Sequence, residues 1–131
     1  MLTPLLGIVH GAITTELRKA AKCPYPNGYA SAQEMKSNVA AYRFNCAQRA
    51  HTQFMENAPQ TILSMLVTGL VYPNATAVLG FGWFAARVLY LSGYIWGSLE
   101  KGRGRRLGFS FWLFQLSLWG LAVMTAKNLL L

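Results

Sequence analysis

The chain has 131 residues, of which 53% are hydrophobic and only 12% charged, and its formal net charge is +8. Soluble domains carry about 25% charged residues, and here the apolar residues gather in blocks separated by short polar segments. That pattern reads as one integral membrane domain over 1–131. Nucleic-acid binding is not expected, because the basic residues flank apolar segments instead of forming a stripe interleaved with aromatics on a soluble surface.

The first apolar segment runs from Leu2 to about Leu17 and ends at Arg18-Lys19, giving a helix over about 2–20. It is short for a span of roughly 20 residues and contains His10 and Glu16. No basic stretch precedes Leu2 and no clear small-residue cleavage site follows, so no cleavable signal is expected. The stretch from Arg18 to about Ser37 reads as a loop, broken by Pro24, Pro26, Asn27 and Gly28.

A second helix is expected over 38–72, amphipathic in its first half and apolar in its second, with Pro59 removing one backbone hydrogen bond and kinking it. A tight Pro73-Asn74 turn leads to a third helix over 75–96. A glycine-rich basic loop follows, from Gly97 to Arg106. The fourth helix is expected over 107–127, with no charge before Lys127. The fold class is therefore an all-α bundle of four transmembrane helices. An even number of crossings puts both long loops on one face. Both are basic, whereas the turn between Tyr72 and Ala75 is not, so both are predicted cytosolic.

The two cysteines, Cys23 and Cys46, read as free thiols. With only His10 and His51, no metal-ligand spacing is present.

The chemistry concentrates on two faces. Arg49, Gln53 and Glu56 are spaced four and three residues apart on the second helix, with Asn45 one turn earlier. Arg87, Tyr90 and Tyr94 follow a three-then-four spacing on the third. Each set shares a helix face. Charges at membrane depth cost roughly 2.5–3.5 kcal/mol each on insertion scales and persist where they face protein or a polar cavity. Two such faces meeting near the cytosolic end would enclose cations, a carboxylate and phenols. A small anionic or zwitterionic, peptide-like ligand fits, with arginine clamping its carboxylates and Glu56 receiving an ammonium. The bland alternative is that these residues only hold helices together, Arg49 pairing with Glu56.

These same residues carry a family resemblance. Phe44-Asn45-Cys46-Ala47-Gln48-Arg49-Ala50-His51, followed by Glu56 and Pro59, resembles the second-helix signature of the MAPEG membrane proteins of eicosanoid and glutathione metabolism. Gly82-Trp83, Ala86-Arg87-Val88-Leu89-Tyr90 and Gly93-Tyr94 resemble the third-helix signature, and the likeness runs from about Arg18 to Gly108. The most similar branch is the type 3 microsomal glutathione S-transferases.

The resemblance implies a homotrimer of four-helix subunits that binds glutathione between neighbouring subunits, near the cytosolic boundary of an endoplasmic-reticulum or mitochondrial outer membrane. It implies a lipophilic electrophile or a lipid hydroperoxide as second substrate. Arg18, Arg49, His51, Gln53, Glu56, Asn57, Tyr90 and Tyr94 match positions that grip glutathione, and Arg87 joins them from the helix-face reading. An arginine after the third helix stabilises the glutathione thiolate in the family. Here that register falls on Arg103, in preference to Arg105, if a short gap is allowed, and on Lys101 if it is not. Two departures stand out: Gln53 where the family often has Asn, and a first helix shorter than usual.

Three functions compete on the sequence. A glutathione transferase or peroxidase needs the retained Arg49, Glu56, Tyr90, Tyr94 and a loop cation. A non-catalytic lipid-binding scaffold of the lipoxygenase-activating type would dispense with much of that grip. A channel would need polar residues through the full depth of the bilayer, which the last helix does not supply.

Overall fold

The computed structural model describes residues 2–97 and 100–130; Ser98 and Leu99 of the basic loop lie outside it. Among the described residues the chain is all-helical. It forms α1 (Thr3–Ala21), α2 (Ala32–Ser37), α3 (Val39–Gly69), α4 (Pro73–Trp96), a 3-10 segment (Arg103–Gly108) and α5 (Phe111–Leu130).

The first helix is longer than its apolar run. It continues through Arg18 and Lys19 and stops at Lys22, whose left-handed backbone (φ 52°) returns its N–H to the Arg18 and Lys19 carbonyls. At about 1.5 Å per residue, its 19 residues approach the thickness of a bilayer core.

The expected loop to Ser37 contains α2. Its start is a capping box: the Ser31 hydroxyl accepts from Glu34 N–H, and the Glu34 carboxylate accepts from Ser31 N–H at 2.7 Å. The spacing Ser-x-x-Glu is a helix-start signature, and it holds here although proline and glycine precede it. The Asn45 side chain then ties the loop to α3, donating to the Ala30 carbonyl and accepting from the Ala30 N–H, both at 2.8 Å.

In α3, the Asn38 side chain caps the start, and the helix runs unbroken through Pro59 to Gly69. Pro73 and Asn74 are the first residues of α4 instead of a turn before it, since proline is at home in a first helical turn. The last helix begins at Phe111, four residues later than expected, because Arg103–Gly108 is wound as 3-10. The reason is close packing. Gly104 lies against the Gly93 carbonyl and Gly108 against the Tyr90 backbone, so closely that a Cβ at either position would overlap main chain.

The bundle is dry outside and polar inside. Leu5, Ile8, Leu63, Leu70, Phe81 and Leu113 are exposed, whereas His10, Thr14, Thr61, Thr68, Arg87 and Gln115 are buried. Such extensive outward apolar surface is foreign to a soluble monomer. Hydroxyls are satisfied locally: Thr14, Thr61 and Thr125 each donate to the carbonyl four residues earlier, which is how a polar side chain is kept where water is absent. Among the described residues, two segments are long and apolar enough to cross a membrane, Pro73–Trp96 with mean hydropathy 1.3 and Arg103–Leu130 with 1.5. In α1 and α3 charged residues, among them the exposed Glu16, Lys19, Arg49 and Glu56, lower the average.

Two outcomes test this description. Gly108→Ala should cost about 1–3 kcal/mol, as overpacking against backbone does, and lower the thermal midpoint in detergent; Gly11→Ala, which meets open space, should not. A Gly108→Ala midpoint equal to wild type would contradict the docking. The Glu34 carboxyl is held below its ordinary value of 4.5 by its hydrogen bonds to the Ser31 backbone and then hydroxyl. A depressed carboxylate stabilises above its unfolded pKa and loses that contribution as pH falls through the lower, folded value. Exchange of the Ser31 amide, corrected for intrinsic rate, should therefore quicken in acid, and Glu34→Gln should weaken that dependence.

Candidate functional site

Three helices meet around Arg87. Its residue is 1% exposed, and one guanidinium nitrogen donates to the Gln53 side-chain oxygen across the α3–α4 interface. The remaining surroundings are rings: Phe111 lies 4.4 Å from the guanidinium carbon, and Phe54, Trp83 and Tyr90 lie at 5.4 Å. Cation–π attraction is worth up to about 2 kcal/mol or more when desolvated, so this cage offsets part of the cost of burial. Phe54 is stacked on its other neighbour, the buried His10 ring of α1, at 4.7 Å.

Below Arg87 runs a relay of amides. The Trp83 indole donates to Gln115 Oε1 (3.1 Å), Gln115 Nε2 donates to Asn57 Oδ1 (2.9 Å), and Asn57 Nδ2 donates to the Gln53 carbonyl (2.8 Å). Asn57 is 7% exposed. Arg87, Gln53 and Asn57, expected to face ligand, are thus engaged within the subunit. Trp83 enters the sequence reading only as part of the third-helix signature, and Gln115 does not enter it. A lone glutamine in the first half of an apolar last helix is the available signal.

One turn further along α4, Tyr90 and Tyr94 stack edge to face at 5.6 Å. Around Tyr90, Arg49 from α3 and Arg105 from the 3-10 segment both lie within electrostatic range, with Tyr94 and Arg87. The Arg105 guanidinium stands 5.7 Å over the Tyr94 ring. Lys101 lines a cavity of about 180 Å³ with Tyr42, Asn45, Cys46, Tyr94 and Gly102. Arg103 faces elsewhere. It pairs with Glu100 at 3.5 Å and lines a separate groove with Arg106 and Leu107. At three residues per turn, positions 103 and 106 eclipse, and position 105 points away from them. The basic loop therefore presents Lys101 and Arg105, and not Arg103, to the phenols.

The other expected residues are spread out. Arg49 and Glu56 form an ion pair at 3.7 Å, with side chains 52% and 54% exposed on the outer face of α3. His51 is half-buried, its ring 6.0 Å from that of His10. Arg18 is buried against the first loop: it donates to the Asn27 carbonyl at 2.5 Å and lies over the Tyr25 and Phe44 rings at 4.4 and 4.6 Å. Both cysteines are free and buried.

A family model described as MAPEG family matches residues 1–124. The chain belongs to the MAPEG family. No solved structure matches it. In this MAPEG chain the third-helix signature supplies Arg87, two of its four ring neighbours (Trp83 and Tyr90) and the tyrosine pair, and Phe54 of α3 and Phe111 of α5 complete the cage.

Breaking one partner of a buried charge is worse than replacing both. Gln53→Leu should destabilise the detergent-solubilised protein by about 3 kcal/mol or more, and adding Arg87→Met should recover much of that loss. A double variant no more stable than Gln53→Leu alone would show that the guanidinium is not restrained by this bond.

Proposed function

We propose that this protein is a membrane-bound glutathione transferase, which binds glutathione, activates it as a thiolate and delivers it to a lipophilic electrophile or a lipid hydroperoxide. The observation that carries the reading is that the Arg105 guanidinium stands over the Tyr94 ring and Lys101 lines a cavity with the same tyrosine, while Arg49 and Arg105 lie within electrostatic range of Tyr90. Cations and phenols at that spacing suit a small peptide with carboxylates and a thiol. A nearby cation lowers a thiol pKa, and the thiolate is the nucleophile. The same thiolate serves conjugation and peroxide reduction. In this reading Lys101 and Arg105 face the sulfur, and Arg103, turned toward Glu100, does not.

The exposed Arg49–Glu56 pair supports an assembled site. A bare ion pair on the outer face of a helix that continues into the membrane is costly. A neighbouring copy of the chain would cover it, with glutathione held between subunits, Arg49 on a carboxylate and Glu56 on the ammonium. A homotrimer with four crossings per subunit, in the endoplasmic reticulum or mitochondrial outer membrane with both basic loops cytosolic, fits this arrangement. The lipophilic partner then arrives laterally from the bilayer.

The test is an ultraviolet titration of the purified protein with glutathione, following thiolate absorbance, beside calorimetric binding. Thiolate at neutral pH is the expected result; no binding and no thiolate would favour the lipid-binding scaffold instead. Arg105→Ala and Lys101→Ala should raise the bound-thiol pKa by about one pH unit or more, and Arg103→Ala should leave it in place. Arg103→Ala alone raising it would overturn the assignment. Glu56→Gln should weaken binding and spare the thiol; an unchanged Kd would remove the ammonium-partner role.

A further inference from the structure

Tyr42 stands at the start of α3, sixty positions from the basic loop, yet the Gly102 N–H donates to its phenolic oxygen at 2.7 Å. Lys101 and Gly102 are both left-handed, with φ 49° and 64°. They are the central residues of a turn closed by its own backbone, the Arg103 N–H donating to the Glu100 carbonyl at 3.0 Å, and positive φ at both central positions is the type I′ pattern. The Gly102 N–H is left to point outward from that turn, and its acceptor is a side chain from another helix, the Tyr42 hydroxyl. This turn is what presents Lys101 to the cavity beside Tyr94 and sets the start of the 3-10 segment carrying Arg105. A Cβ on Gly102 would approach the Tyr94 ring to 2.7 Å, so the turn is wedged between Tyr42 and Tyr94.

We infer that Tyr42 is a positioning residue for the thiol-activating cations: its hydroxyl fixes the Lys101–Gly102 turn on α3 and thereby holds Lys101 and Arg105 at the site. The inference rests on the glutathione-transferase reading. Tyr42 itself is assigned no contact with glutathione. The Gly102 N–H faces its hydroxyl, and the Cys46 thiol of α3, Tyr94 of α4 and Lys101 line the same cavity. Phenylalanine at this position keeps the ring and removes only the acceptor.

The experiment compares wild type, Tyr42→Phe and Cys46→Ala in detergent by three readouts: calorimetric Kd for glutathione, pH titration of bound thiolate, and trypsin cleavage at the basic loop. Tyr42→Phe should move the thiol titration upward by about half a pH unit or more, change Kd less than about twofold, and speed loop cleavage by about threefold or more, since cleavage follows the population of the open form. Cys46→Ala should leave the titration and the cleavage unchanged, which assigns the effect to the Gly102 bond. Adding Tyr42→Phe to Lys101→Ala with Arg105→Ala should move the titration no further, because the cations through which it acts are gone. A merely structural tyrosine would lower the thermal midpoint and leave the titration in place, and that result overturns the inference. So does loop cleavage at the wild-type rate. Wild-type protein that forms no thiolate would overturn the function itself, a failure visible before any variant is compared.

Discussion

A guanidinium sealed from solvent is the constraint around which this bundle is arranged. Arg87 cannot be neutralised by losing a proton, because arginine holds its charge under all ordinary conditions. It must therefore be accommodated by position. Gln53 contributes one hydrogen bond, and four aromatic faces, one from α3, two from α4 and one from the start of α5, supply the rest. Each of the three helices enters the cage with defined side chains, so the relative rotation of α3, α4 and α5 is set there. The first helix joins through the stack of His10 on Phe54. A purely aliphatic bundle in lipid has no comparable means of choosing one rotation, because lipid tails are as apolar as leucine.

The candidate site follows from that rotation. With Arg87 inward, Tyr90 and Tyr94 lie on the same face of α4 one and two turns on, and Arg49 on α3 comes within electrostatic range of Tyr90. The closing element is the basic 3-10 segment, which reaches α4 because Gly93, Gly104 and Gly108 have no side chains to keep the backbones apart. Packing without side chains and a cluster of cations thus meet at one end of the molecule. Glycine allows the approach, and the cations gain a fixed address.

The two signature stripes and the four long helices were legible because a helical period and a shared face are properties of local sequence. The capping box at Ser31 and Glu34 was equally local, yet neighbouring proline and glycine masked it. Which loop cation faces the phenols was not legible. Counting along Gly102-Arg103-Gly104-Arg105 assumes a winding, and the winding is set by how close α4 lets the loop come. The surroundings of Arg87 were not legible for a related reason: spacing gives the face of a helix but not that four rings meet it there. Arg18, likewise, was placed by motif, and its engagement with the Asn27 carbonyl depends on a loop whose course no periodicity encodes.

The amide relay has a sense of direction. An indole nitrogen can only give a hydrogen, so Trp83 forces Gln115 to turn its oxygen toward α4 and its nitrogen toward Asn57. Asn57 must then answer with its oxygen, which leaves its nitrogen aimed at the Gln53 carbonyl. Each amide in isolation could sit either way round. In series, one tryptophan decides the orientation of all of them, as the first tile fixes a row. Polarity is thereby imposed on three helices by a single aromatic residue that carries no charge.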